Sequence, residues 1–167
     1  AKSKDADVLL GPTINIHRHP LGGRHFESFS EDPFLSGRVT VEYVHGVQST
    51  GVAACLKHFV GNDTEYERHS ISSNIDEKTL REIYLLPFEM GVKEGNAKVV
   101  MSAYNKLNNI YCSSNQDLLI NILKKKIKLI MGFKMIYKFI IILIVIMIAM
   151  EMPLLIIAEL VQEGILV

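Results

Sequence analysis

Three short apolar runs, at residues 8–10, 52–56 and 99–103, stand out against a mixed polar background. Each is too short for a helix and ends in turn-forming or polar residues, which predicts buried strands. The first closes at Gly11-Pro12, the second at Lys57-His58 and the third at Tyr104. Between the runs, apolar residues recur at helical spacing. Residues 35–50 place Val39, Tyr43, Val44 and Val47 on one face, and Gly51 follows as a stop. A second helix starts after Asp76, a capping residue, and runs to about Glu94; Pro87 inside it predicts a bend or a break. Ser114 or Asn115 caps a third helix that reaches Leu123. Residues 15–34 and 61–75 are polar and show little periodicity, so they read as long loops.

Strand, loop and helix thus follow one another three times. That order predicts an α/β fold of parallel βαβ units. Polar, chemically capable residues collect just after each strand, where a (β/α)8 barrel builds its active site. The expected architecture is a partial (β/α)8, TIM-barrel-like domain, with an apolar C-terminal tail of unclear structure. A doubly wound sheet would give a similar pattern, and neither GxGxxG nor a Walker sequence occurs to favour it.

Charge and composition narrow the function. The chain has 167 residues, 18 basic and 18 acidic side chains, and no net charge. Nothing there favours nucleic acid as a partner. Cys55 and Cys112 stand in no CxxC or metal-type spacing, and the six histidines form no HExxH or other ligand pattern. No metal and no cofactor is expected. Asn62-Asp63-Thr64 is a formal glycosylation sequon of a kind that arises often by chance.

The composition changes at Lys124. Residues 124–150 contain no Asp, Glu, Asn, Ser, Thr or Pro and are dominated by Ile, Lys, Met, Leu and Phe. The chain therefore divides into residues 1–123 and an aberrant Ile/Lys/Met-rich tail at 124–167. Three readings of the tail compete. A membrane-spanning helix needs about 20 apolar residues, and the run 139–158 reaches that length only by including Glu151 and Pro153. A buried core helix or strand is the second. Translation of A/T-rich codons in the wrong frame is the third, and it is the one favoured.

The candidate chemistry lies in residues 1–123. Arg24 follows Gly22-Gly23, which lets the backbone bring a guanidinium close to a ligand. Its fork of donors suits the paired hydroxyls of a sugar, or a structural ion pair with Glu27, Glu31 or Asp32. Lys57 and His58 end a strand, where successive side chains ordinarily point to opposite faces. Tyr104 ends the next strand in the same relative place. The run Asp63, Glu65, Glu67, Arg68, His69 reads as a solvated, internally paired loop, or as the seat of a general acid or base.

Four segments taken together resemble glycoside hydrolase family 3. LGPTINIHRHPLGGRHFESFSEDPFLSG is similar to the family's arginine loop, and GVAACLKHFVGNDTEYER to its Lys-His strand and following loop. TLREIYLLPFEMGV and VVMSAYNKLNN are similar to the helix and strand that come next. The loop after Lys57-His58-Phe59 lacks the proline-glycine-histidine of the hexosaminidase branch and looks like the β-glucosidase branch. The resemblance implies an N-terminal (β/α)8 domain and hydrolysis, with retention, of terminal β-D-glucosyl residues from a β-glucoside or short β-linked oligosaccharide. It also implies that Arg24, Lys57, His58 and Tyr104 hold the sugar next to the cleaved bond, with Met101 lining the same subsite.

Retention requires two carboxyl groups, a nucleophile and an acid/base. The family's nucleophile is an Asp in a Ser-Asp-Trp segment one strand beyond the Tyr104 position. This sequence has no Trp and no Asp after Asp117, and the family's acid/base Glu comes from a later domain. No catalytic residue is therefore assigned, and the chain alone is expected to be an inactive fragment. Two alternatives are a carbohydrate-binding pseudoenzyme and a membrane-anchored interaction protein using residues 139–158.

Overall fold

A computed structural model describes residues 1–129. The expectations for the apolar stretch 139–158, and for most of the segment where the nucleophile strand would fall, lie outside the described residues.

The first unit runs from β1 (Val8–Leu9) through a long loop to α1 (Pro33–Gln48) and β2 (Ala53–Phe59). Asp32 caps α1: its Oδ1 accepts from the N–H groups of Phe34 at 2.8 Å and Leu35 at 3.1 Å. Pro33, in the first turn, has no N–H to satisfy. The second unit passes from β2 to β3 (Ser72–Ser73) and α2 (Glu77–Thr79), then through a π-wound stretch, Leu80–Tyr84, to α3 (Leu86–Lys93) and β4 (Val99–Ser102). Asp76 caps α2, with Oδ1 accepting from the Thr79 N–H at 3.0 Å. The interruption expected at Pro87 falls just before it. The Leu85 N–H reaches back five residues to the Leu80 carbonyl at 2.8 Å, and Pro87 then sits in the first turn of α3.

The strands β1, β2 and β4 form one parallel sheet in the order β1-β2-β4. Val8 lies opposite Ala53, and Cys55 opposite Val99. Parallel strands joined by helices give the α/β, (β/α)8-type arrangement, and three of its strands lie within the described residues. The second strand is longer than expected. Lys57 and His58 lie inside β2, not beyond its end, and the register to β4 shifts between Lys57 and Phe59.

The buried face of α1 differs from the expected one. Ser36, Gly37, Thr40, Val41 and Val44 face inward, Val39 and Tyr43 are exposed, and Val47 is half-buried. Close packing of α1 on α3 selects small residues here. A Cβ on Gly37 would lie 2.4 Å from Met90 Sδ, and one on Gly91 would lie 2.8 Å from Thr40 Cγ2. The core below joins Ile14, Leu56, Phe59, Phe88, Leu118 and Ile127, all 2 % exposed or less. Phe59 and Phe88 meet edge to face at 5.0 Å, the favoured geometry for an aromatic pair.

One feature was not anticipated from the sequence, and one expected helix runs further than its sequence suggests. A small second sheet, β3-β5-β6, adds β5 (Lys106–Leu107) and β6 (Ile110–Tyr111). These two form a hairpin whose two-residue turn, Asn108-Asn109, has φ of 49° and 71°. The last helix, Asp117–Lys126, is also π-wound and is capped by Asn115 Oδ1, which accepts from the Leu118 N–H at 3.0 Å. It passes through the change of composition at Lys124, and Ile127 just beyond it is buried.

Candidate functional site

The loop after β1 and the end of β2 bring a carboxylate, a guanidinium, an ammonium and an imidazole together. Glu27 is the centre of this group. One of its oxygens, Oε1, accepts from Arg24 Nε. The other, Oε2, accepts from Thr13 Oγ1 at 2.7 Å and lies 3.5 Å from Lys57 Nζ. Of the three acids that could have paired with Arg24, only Glu27 does so: Asp32 is engaged as a helix cap, and Glu31 is exposed. Burial raises the Glu27 pKa, but the hydrogen bonds from Arg24 and Thr13 and the charge of Lys57 outweigh it and lower it to about 2. Arg24 and Lys57 are thus held by one carboxylate that is ionised at neutral pH.

His58 completes the cluster. Its Nε2 lies 3.2 Å from Arg24 Nη1, and its Nδ1 lies 3.2 Å from Asn15 Oδ1. A guanidinium only donates, so Nε2 accepts and the proton sits on Nδ1. Asn15 is oriented for this by two further bonds. Its Nδ2 donates to the His58 carbonyl and its Oδ1 accepts from the His58 N–H, both at 2.9 Å. Burial, then the charges of Arg24 and Lys57, lower the His58 pKa to about 4, so the ring is neutral at neutral pH. The Lys57–His58 peptide is cis, and both side chains reach the cluster.

A second arm comes from the loop after β2. Glu65 Oε1 lies 3.9 Å from Arg24 Nη1, and Glu65 pairs with Arg68. The Arg68 guanidinium stands 5.4 Å from the centre of the Tyr104 ring, which His69 flanks at 4.8 Å. Of the residues singled out by the sequence, Arg24, Lys57 and His58 are in direct contact through Glu27 or each other, and Tyr104 is joined to them through Arg68 and Glu65. Met101 is half-buried and lies opposite Lys57 in the register of β4 and β2. Glu27, Thr13, Asn15 and Arg68 were not singled out as members. Glu27, three residues after Arg24, was legible as a partner; Asn15 carried no local signal, because its role depends on a strand 43 residues away.

Beneath Arg24 and His58 lies a recess of about 10 Å³, lined by Thr13, Asn15, His25, Asn62 and Asp63 among others. That is about the volume one water requires. Asn62 is 8 % exposed and its Nδ2 points to Glu65 at 3.4 Å, so the amide of the formal sequon is turned inward. Among the described residues, no group of three His, Cys, Asp or Glu is placed to hold a metal ion, and no helix is long and apolar enough to cross a membrane. Cys55 and Cys112 are free, buried thiols.

An anchored guanidinium and ammonium and a neutral imidazole thus gather on the β1–β2 side of a parallel sheet of (β/α)8 type, where such domains place their binding sites. The comparisons with known proteins agree with that class. Residues 1–137 match the glycosyl hydrolase family 3 N terminal domain, and the chain belongs to this family. A beta-glucosidase of Rhizobium radiobacter is 58 % identical over 126 residues, 75 % of this chain and 15 % of that protein. Beta-glucosidase 3B from Thermotoga neapolitana, solved with alpha-D-glucose, superposes with a TM-score of 0.72 at 53 % identity, over 74 % of this chain and 17 % of that one. The beta-glucosidase of Kluyveromyces marxianus, solved with glucose, gives 0.72 at 54 % identity, over 74 % and 15 %. The chain thus spans about 15 % of the length of the curated relatives it matches.

Proposed function

We propose that this chain forms one wall of the sugar-binding subsite of a β-glucosidase-type, retaining glycoside hydrolase. Arg24, Lys57 and His58 donate to and accept from the hydroxyls of a terminal β-D-glucosyl residue, Tyr104 sets one side of the subsite, and Met101 lines it. The observation that carries this reading is the shared anchoring of Arg24 and Lys57 on Glu27, with neutral His58 against Arg24. Long cationic side chains normally lose rotamer entropy on binding; here the carboxylate has already fixed them. A glucoside or short β-linked oligosaccharide is the ligand class, in keeping with relatives solved with glucose.

The chemistry itself needs a carboxylate nucleophile and a carboxylic acid/base. Glu27 serves neither role: both its oxygens are engaged, and it stays ionised. The chain therefore binds and orients the sugar, and residues 1–123 act as a binding unit separate in composition from residues 124–167. The test is a glucose titration of the 167-residue chain followed by NMR. Saturable shifts at His58 that are lost in Arg24→Ala and Lys57→Ala support the reading. No shift in a chain that melts cooperatively would overturn it.

A further inference from the structure

The loop that carries Arg24 and the loop that carries Glu65 and Arg68 meet at Asp63. Gly22 packs so tightly there that a Cβ would lie 2.8 Å from the Asp63 carbonyl oxygen, and the Gly22 carbonyl accepts from the Glu65 N–H at 3.1 Å. Gly23, at φ 88°, passes Glu65 equally closely. The Asp63 carboxylate faces two different elements. Arg18 and the Ile16 N–H come from the loop after β1, and the Tyr84 hydroxyl comes from the end of the π-wound stretch Leu80–Tyr84. Tyr84 is buried, and the Arg18 guanidinium stands 5.9 Å from its ring centre. Asp63 Oδ1 is shut off from solvent without a hydrogen-bond partner and borders the recess beneath Arg24 and His58; Asn62 Oδ1 and His25 Nε2 are in the same condition.

We propose that Asp63 is a positioning residue of the sugar site: through Arg18, the Ile16 N–H and the Tyr84 hydroxyl it holds the arginine loop in register with Glu65 and Arg68. It touches no ligand and acts through Arg24. The proposal rests on the sugar-binding reading for its consequence, though not for its geometry. The energetics agree with a functional role. Burial raises the Asp63 pKa to about 6, against the lowering effect of Arg18, Ile16 and Tyr84. At neutral pH the fold therefore keeps an ionised carboxylate that destabilises it, a pattern common at functional sites. Arg18 and Tyr84 face Asp63; Arg24 and His25 from the arginine loop and His58 from β2 line the same recess, and the His17 ring lies tilted 4.8 Å from that of His25.

The experiment compares the full chain with Asp63→Asn and Asp63→Glu at about pH 7.5 and about pH 5, either side of the carboxyl midpoint. Amide exchange at Glu65, thermal unfolding and glucose titration are the readouts. In Asp63→Asn, protection of the Glu65 N–H falls about tenfold at both pH values while the unfolding temperature at the higher pH is unchanged or raised. The unsubstituted chain loses the same protection only at the lower pH, together with several-fold of its glucose affinity, and Asp63→Glu restores part of both. Wild-type protection in Asp63→Asn overturns the proposal. So does a loss of protection that tracks a lower unfolding temperature, which marks a structural role only. A pH step of the same size that persists in Asp63→Asn does not arise at Asp63 and also overturns it. If the Glu65 pattern appears but glucose binds at neither pH, the positioning stands and the sugar reading fails.

Discussion

Replacing His58 by asparagine removes a titrating ring from the centre of the cluster and should change how stability depends on pH. In the fold, burial and the charges of Arg24 and Lys57 lower the His58 pKa from 6.5 to about 4. The unfolded chain therefore takes up its proton first as pH falls. Stability supplied by the neutral ring is complete above about pH 6.5 and is lost down to about pH 4. For a ring only 5 % exposed, the difference corresponds to about 3 kcal/mol, or about 1.4 kcal/mol per pH unit in the middle of the window. Asp63 works in the opposite direction over nearly the same range, because its raised pKa favours the protonated fold. The pH profile of the unsubstituted chain is thus close to a cancellation, and the informative quantity is the difference between it and His58→Asn. Urea unfolding at several pH values between about 4 and about 7.5 measures it. The gap in favour of the unsubstituted chain should narrow by about 3 kcal/mol from the top of that range to the bottom. Parallel profiles would refute the neutral, Nδ1-protonated assignment, as would a His58 ring that titrates near its ordinary 6.5 in the folded chain.

Three further outcomes follow from the same contacts. Glu27→Gln should destabilise the chain by about 1–2 kcal/mol at neutral pH, after allowing for screening of a partly exposed group. Because the Glu27 pKa is lowered to about 2, that difference should persist above the ordinary 4.5 and fade as pH drops towards 2, which melts at neutral and acid pH will show. Gly91→Ala places a Cβ 2.7 Å from Leu56 Cδ1 and 2.8 Å from Thr40 Cγ2, and overpacking at this helix–helix contact should cost about 1–3 kcal/mol in denaturant unfolding. The 167-residue chain should release no product from an aryl β-glucoside, since its sequence has no Asp after Asp117 to serve as the family's nucleophile; measurable turnover that survives purification would contradict this.

The elements most legible in the sequence were those set by local chemistry. Asp76 announced its cap, Pro87 its break, and the three apolar runs their parallel strands. The face of α1 was misread because period alone favours the larger residues Val39 and Tyr43, whereas contact with α3 demands small ones, Gly37 and Thr40. The β5–β6 hairpin was missed although Asn108-Asn109 suits its turn, because its strands are only two residues each. In the site, Arg24, Lys57, His58 and Tyr104 were visible through the resemblance of four segments to one family. Their connection was not. Asn15 is 43 residues from His58, and Thr13 is 14 from Glu27, so these contacts exist only once the strands are paired. The ion pair between Glu65 and Arg68 was within reach of spacing alone, but its place between Arg24 and Tyr104 was not.

The central claim is that Arg24, Lys57 and His58 form one preorganised grip for a glucosyl ring. The most direct measurement is the glucose titration by NMR, with the His58 ring nitrogens and Arg24 Nε followed together in the unsubstituted chain and in Glu27→Gln. The account predicts that both residues shift with a single dissociation constant, on the order of millimolar, and that Glu27→Gln weakens it at least several-fold. Shifts that fit different constants at the two residues, or an affinity indifferent to Glu27, would contradict it.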